Sequence, residues 1–326
     1  MNLLAALLIA AAGCAVALAL MLRFKQYLPL DRPNARSLHE QPVPRVGGLA
    51  ILAGVALAVA SGLVPFGLAV ALALALAALS FLDDLHHLPS GVRFAGHVAA
   101  AGVLAWYMLS PMQPVELVLI ALAIAWITNL YNFMDGSDGL AGGMAVAGFG
   151  SYAIGAWLGG DAATALVSAA LVGAAAAFLA FNFPPARVFL GDVGSIPLGF
   201  LAGGLGVAGW RNDAWPLWFP LLVFAPFIGD ATVTLVKRLL RRERVWQAHR
   251  EHYYQRMVRM GLGHRGTAAV AYAAMLICAA AALVGRAQAP ELQAAVFAAV
   301  TLALAALAVW VDVRWSRHPR DARGSS

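Results

Sequence analysis

An all-α, polytopic integral membrane helical bundle is the fold class this sequence predicts, and three observations predict it. Of its 326 residues, 62% are hydrophobic and only 12% are charged, against roughly 25% charged in a soluble domain. Mean hydropathy is +0.77, and the apolar residues fall in runs close to the ~20 that cross a bilayer. Lys and Arg, finally, are confined to alternate connections between those runs.

The runs predict about 11 transmembrane helices, near 2–22, 46–64, 66–82, 94–110, 115–130, 139–158, 162–182, 195–210, 215–237, 267–285 and 290–313. Residues 1–22 read as a retained span and not as a signal peptide, because the basic cluster follows the apolar run. Cys14 and Cys278 lie inside apolar runs as small packing residues. Residues 1–314 form one multi-span domain, and 315–326 a short basic tail without fixed structure.

Five Lys/Arg lie in the 23–45 loop, one each in 83–93 and 183–194, nine in 237–266 and four in the tail. Eleven alternating spans put these 20 of the 22 on one side, leaving only Arg211 and Arg286 opposite. The excess of cations on cytoplasmic loops then sets the N-terminus out and the C-terminus in. Trp210, Trp215, Trp218 and Phe219 flank the opposite connection, where an interfacial aromatic belt is expected. The pI near 9.7 therefore reflects topology and contact with the lipid bilayer, not nucleic acid.

The same topology gathers the polar clusters on the cytoplasmic face. Asp83-Asp84-Leu-His86-His87-Leu-Pro89 closes the third span, and Asn129-Leu-Tyr-Asn132-Phe-Met-Asp135-Gly-Ser-Asp138-Gly-Leu140 closes the fifth. Gly191-Asp192-Val-Gly194-Ser195 opens the eighth, and His249-Arg250-Glu251-His252 lies in the basic loop. Ionisable groups at a membrane boundary are costly unless they bind something. Each cluster alone also suits a solvated helix end; their coincidence on one face is what points to a site. Adjacent carboxylates such as Asp83 and Asp84 repel unless a cation lies between them. A hard ion with oxygen ligands resolves this, and Mg²⁺ takes one or two carboxylates plus substrate phosphates. Asp192, between glycines, can be presented to such an ion, while Arg and His meet phosphate oxygens. Together these groups suggest transfer at phosphorus. Asp230, inside the ninth span, suits either helix-to-helix hydrogen bonding or support of a neighbouring ligand. His86, His87 and His97 read as interfacial or packing residues, and His264 and His318 carry no signal.

The series Asp-Asp-x-x-x-Leu-Pro, Asn-x-x-Asn-x-x-Asp-Gly-x-Asp-Gly-Leu, Gly-Asp-x-Gly-Ser and a late His motif resembles the polyprenyl-phosphate N-acetylhexosamine-1-phosphate transferases (glycosyltransferase family 4). Arg36-Ser-Leu-His39-x-x-Pro42-x-Pro44-Arg45-x-Gly47-Gly48 is similar to that family's first cytoplasmic loop. The resemblance implies a multi-pass enzyme of the bacterial inner membrane, facing the cytoplasm. It would pass a sugar-1-phosphate from a UDP-N-acetylhexosamine to undecaprenyl phosphate and release UMP, with Mg²⁺ as cofactor and Mn²⁺ as a substitute. It further implies that Asn132 and Asp192 hold the metal and that Asp83 and Asp84 have acid/base roles. Asp135 and Asp138 would organise the active site. His249, Arg250, His252, Asn129 and Arg45 would bind substrate, and a homodimer is admitted. The late motif lacks the consecutive histidines of the muramoyl-pentapeptide branch, so the resemblance is closer to the branch that initiates O-antigen and similar polysaccharides. The muramoyl-pentapeptide reaction and, more remotely, cation-coupled transport are the alternative readings.

Overall fold

The computed structural model describes residues 2–28, 30–31, 38, 42–245, 247 and 249–318. Arg32, Arg36, His39, Ala248 and residues 319–326 of the expected tail lie outside the described residues, while the tail's first residues, 315–317, continue the last helix, because its hydrogen-bonded turns run on past the apolar stretch.

Helices α1 (Leu3–Arg23), α2 (Gly47–Ala60), α3 (Leu68–His86), α4 (Ser90–Leu109), α5 (Pro114–Phe133), α6 (Leu140–Gly159) and α7 (Ala162–Asn182) form the first half. They are followed by α8 (Asp192–Arg211), α9 (Trp218–Val223), α10 (Ala225–Leu240), α11 (Tyr253–Met257), α12 (Gly263–Gly285) and α13 (Pro290–Arg317). Strands β1 (Leu30–Asp31) and β2 (Val43–Pro44) pair antiparallel, Leu30 opposite Pro44. Among the described residues, eight helical stretches are long and apolar enough to cross a membrane: α1, α3, α4, α5, α7, α8, the run Tyr253–Gly285 and α13. Three further expected spans fall on α2, which has only 14 residues, on glycine-rich α6, and on α9 with α10.

The ninth expected span is therefore two helices. They meet at Phe224 (φ −96°, ψ 10°), directly before Ala225-Pro226. Proline lacks an N–H and restricts the residue before it, so a helix restarts here more readily than it continues. The expected aromatic belt is also corrected. Trp215 and Phe219 are buried and stack on one another (4.8 Å between ring centroids), with Tyr152 stacked on Trp215 at 5.0 Å. Both aromatics fill the space beside small residues of α6 and α8, such as Gly155 and Gly209, and so serve as core.

The buried hub is α8, packed against α3 and α5 and, more lightly, against α2, α4 and α6. Its N-terminus is fixed by main-chain bonds to the segment entering α2: Gly47 N–H to Phe189 O and Gly48 N–H to Leu190 O (both 2.9 Å), and Phe189 N–H to Pro44 O (2.8 Å). Gly48 and Gly194 touch backbone to backbone there; a Cβ on Gly48 would fall 2.3 Å from the Gly194 nitrogen. The two helix starts can come this close only without side chains.

Candidate active site

Helix ends, not loops, carry most of the predicted residues. The connection expected over 83–93 shrinks to 87–89, between the end of α3 at His86 and the start of α4 at Ser90. His87 adopts the left-handed conformation (φ 52°) that terminates α3. Asp83 and Asp84 thus sit in the last turn of α3, and Arg93 in the first turn of α4. Helical hydrogen bonding satisfies the backbone right up to the interface, so these helices outlast their apolar stretch.

This geometry brings in a residue that the sequence reading counted only for topology. Arg93 Nη1 donates to Asp83 Oδ2 at 2.7 Å and lies 3.8 Å from Asp192 Oδ2. One guanidinium therefore bridges Asp83 of α3 to the aspartate that opens α8. Asp84 is exposed and within electrostatic reach of Asp192, Asp83 and Arg45. Arg45 Nε lies 3.5 Å from Asp31 Oδ2, at the mouth of the same acidic group.

On α5, Asn132 Oδ1 accepts from Ser195 Oγ on α8 at 3.3 Å, which sets an amide oxygen within a turn of Asp192. Asn129, one turn earlier, is used inside the bundle. Its Oδ1 accepts from His97 Nδ1–H (3.2 Å), and its Nδ2 donates to Ala125 O (2.7 Å). His97 is buried, so both residues position α4 against α5.

Asp135 begins the turn after α5. Its carboxyl is packed round by protein although solvent reaches part of it. That burial, with the nearby Asp192 carboxylate, pushes it well above the usual carboxylate range, against the opposing pull of Arg45 and of the Gly191 N–H. A cation added to Arg93 and Arg45 among Asp83, Asp84, Asp135 and Asp192 would lower the cost of ionising them.

Asp138 does a different job: Oδ2 accepts from Ala186 N–H at 2.9 Å. The next residue, Gly139, has φ 76°, and its N–H donates to Asn182 Oδ1 at 2.9 Å. His264, at the start of α12, completes this corner. Its Nδ1 accepts from Asp138 N–H (3.2 Å) and Ser137 Oγ–H (3.0 Å), and its Nε2–H donates to Leu38 O (3.1 Å). All three bonds are satisfied by the neutral ring with the proton on Nε2. His264 and Asn182 were not legible in the sequence, since neither sits in a polar cluster of its own.

The late histidine motif meets the end of α5. The Phe133 and His252 rings stack with centroids 6.3 Å apart, His249 and His252 lie 4.8 Å apart, and Tyr254 Oη–H donates to Phe133 O at 3.1 Å. Glu251 is held by Arg238 (2.7 Å) and by Arg241. His249 is pushed down to about 4 by burial first, then by His252 and Arg238. At neutral pH it is an uncharged imidazole, so His249 itself brings no positive charge to the motif. Beside it, between α10, α12 and α13, lies an apolar cavity of about 410 Å³ lined by residues including Met134, Leu140, Tyr254 and Met275.

Among the described residues no three His, Cys, Asp or Glu side chains are grouped closely enough to hold a metal unaided. The donors present are hard oxygens, Asp192 and the amide of Asn132, with Asp83 and Asp84 close by. That set fits an ion that completes its shell with water and phosphate oxygens, as Mg²⁺ does, and does not fit a thiolate- or imidazole-seeking metal.

Carboxylates, an amide oxygen and guanidinium groups thus gather at one end of an apolar helical bundle, a donor set suited to phosphate and a hard cation. The model of the family described as Glycosyl transferase family 4 matches residues 66–209. The chain is 31% identical over 274 residues to a Bacillus subtilis (strain 168) protein named probable undecaprenyl-phosphate N-acetylglucosaminyl 1-phosphate transferase, covering 78% of this chain and 76% of that one. It is 31% identical over 292 residues to the decaprenyl-phosphate N-acetylglucosaminephosphotransferase of Mycolicibacterium smegmatis, covering 74% and 71%. A phospho-N-acetylmuramoyl-pentapeptide-transferase of Shouchella clausii is 49% identical, but over only 83 residues, 26% of each chain. The chain belongs to the polyprenyl-phosphate N-acetylhexosamine-1-phosphate transferases of glycosyl transferase family 4.

Proposed function

We propose that this protein transfers N-acetylglucosamine 1-phosphate, or a closely related hexosamine 1-phosphate, from a UDP-linked donor to undecaprenyl phosphate. In the balanced reaction, an oxygen of the lipid phosphate becomes bonded to the phosphorus that bears the sugar. The bond from that phosphorus to UMP breaks, and UMP leaves. The observation that carries the reading is the meeting of Asp83 and Asp192 at Arg93, with Asp84 in electrostatic reach of both carboxylates and Asn132 bonded to Ser195, a turn from Asp192. Relatives named for N-acetylglucosamine transfer match about three-quarters of this chain, whereas the muramoyl-pentapeptide relative matches a quarter. Those extents favour the smaller donor.

Asn132 and Asp192 would hold Mg²⁺, with Mn²⁺ able to replace it. When bound, the ion supplies charge neutralisation at the diphosphate. The chain's own groups do the rest. Asp83 or Asp84 takes up the proton of the incoming lipid phosphate. Arg93 is freed from Asp83 to meet phosphate oxygens. Arg250 and Arg45 face the donor diphosphate as charge-assisted partners. The apolar cavity beside Met134 and Tyr254 supports an acceptor with a long hydrocarbon chain. Grouping of Lys and Arg on alternate connections supports a bacterial cytoplasmic-membrane setting, with this end of the bundle toward the cytoplasm.

The test uses purified full-length protein in detergent with undecaprenyl phosphate, Mg²⁺ and UDP-N-acetylglucosamine, UDP-N-acetylgalactosamine or UDP-N-acetylmuramoyl-pentapeptide. UMP release is expected with a simple hexosamine donor and is expected to be lost on EDTA treatment and in Asp192→Asn, which stays folded. Folded wild-type protein that releases no UMP with any donor would refute the reading.

A further inference from the structure

Asp230 lies on α10, outside the acidic group of α3, α5 and α8, and its side chain is only 9% exposed. Both of its oxygens are engaged by consecutive main-chain amides at the start of α11. Tyr253 N–H donates to Oδ1 at 2.8 Å and Tyr254 N–H to Oδ2 at 2.9 Å. Thr234 Oγ1 adds a weaker contact to Oδ1 at 3.4 Å. A carboxylate receiving two amides is a charge-assisted cap, stronger than a neutral one. Asparagine could not reproduce it, because it has one acceptor oxygen and would turn an NH₂ toward an N–H.

The residue immediately before the capped pair is His252, and its ring is buried. Nδ1 lies 3.3 Å from Asp230 Oδ1 and has no hydrogen-bond partner among the described residues. The far side of the same short helix is pinned separately: Tyr253 Oη–H (3.1 Å) and Arg256 Nη1 (2.9 Å) both donate to Asp312 on α13. Tyr254 reaches across to Phe133 at the end of α5. The chain from His249 to His252 thus enters a helix whose first turn is clamped on three sides, and the clamp on its main chain is Asp230.

We infer that Asp230 is a positioning residue for the donor site. It touches no reacting atom, and it sets the register of the His249–His252 segment so that Arg250 and His252 meet the donor diphosphate. The inference rests on the transferase reading above in assigning that segment to the donor.

Asp230→Asn, His252→Gln and the double variant are compared with wild type in the purified full chain. Three quantities are measured: hydrogen exchange of the peptide 249–257, KM for the UDP-sugar and KM for undecaprenyl phosphate. Losing one charge-assisted bond corresponds to about a tenfold effect. Asp230→Asn should therefore speed exchange at Tyr253 and Tyr254, and raise the donor KM, by about tenfold each. The acceptor KM should stay within about twofold. The double variant should be within about twofold of His252→Gln alone, since residues acting through one unit are not additive. Unchanged exchange, a parallel rise in both KM values, or additive defects would each overturn the inference. If Asp230→Asn does not fold, Asp230→Glu keeps the charge and both oxygens on a longer side chain, and should give the same split between the two KM values in smaller measure; equal changes in both would overturn it. Failure of wild type to turn over any donor would instead fell the transferase reading, and unchanged exchange in the variant would still fell the clamp.

Discussion

Protonation of His249 should cost this protein stability in a defined pH window. In the folded protein the imidazole is pushed down from 6.5 to about 4, by burial first, then by the His252 ring and the Arg238 and Arg256 guanidinium groups, with Glu251 opposing. In the unfolded chain it titrates near its ordinary value. Between those two values the unfolded chain binds a proton that the folded chain refuses, so unfolding becomes easier as pH falls. The contribution is fully present above pH ~6.5, is lost progressively toward pH ~4, and changes no further below that. At about 1.4 kcal/mol per pKa unit, the full displacement is worth roughly 3 kcal/mol. Because solvent reaches part of the ring, about half that, ~1.5 kcal/mol, is the expected effect.

The perturbation is His249→Gln, which keeps a polar side chain and removes the titration. In a chain this long, 1 kcal/mol moves Tm by roughly 2 °C. Wild type should accordingly lose about 3 °C more than the variant between pH 7.5 and 4.5, measured as thermal unfolding in one detergent with buffer composition matched. Carboxylates that titrate in the same range do so in both proteins and cancel in the difference. Parallel loss of Tm in the two proteins would refute the assignment of a neutral, half-buried His249. It would also reopen a cationic role for that ring at the donor diphosphate.

Two further outcomes follow from the packing around the site. Gly48→Ala places a Cβ 2.3 Å from the Gly194 nitrogen, and backbone on both sides leaves nothing free to yield. Overpacking of this kind costs about 1–3 kcal/mol, and displacing Asp192 by even ~1 Å should cut kcat on the order of 100-fold; wild-type turnover in Gly48→Ala would contradict the close approach of α2 and α8. His264→Phe keeps ring volume and removes the bonds to Ser137, Asp138 and Leu38. It should lower stability by about 2 kcal/mol and speed amide exchange at Asp138, and unaltered exchange there would dismiss the pin.

What was legible in the sequence follows from which costs are local. Asp83, Asp84, Asn132, Asp135, Asp138 and Asp192 stood out because each breaks an apolar run, and the energetic penalty of a polar group in such a run is visible without knowing its neighbours. The basic residues were legible as a topological pattern for the same reason. Arg93 was counted in that pattern yet missed as part of the site, because its meaning depends on α3 and α4 continuing past their apolar segments until only 87–89 separates them. His264 and Asn182 were illegible in a stronger sense, and Asp230 was legible only as a choice between two roles. Each satisfies backbone amides or carbonyls of a distant segment, and a main-chain donor in need of a partner leaves no trace in residue identity. Trp215 and Phe219 failed in the opposite direction. Large aromatics beside a polar connection suit an interface equally well as a core, and small residues on α6 and α8, such as Gly155 and Gly209, decided for the core. The groups suited to chemistry are thus written in composition and pattern. The groups that hold them to sub-ångström tolerance are written in tertiary hydrogen bonds. For that reason the positioning residues, Asp230 foremost, are where mutagenesis has most to add.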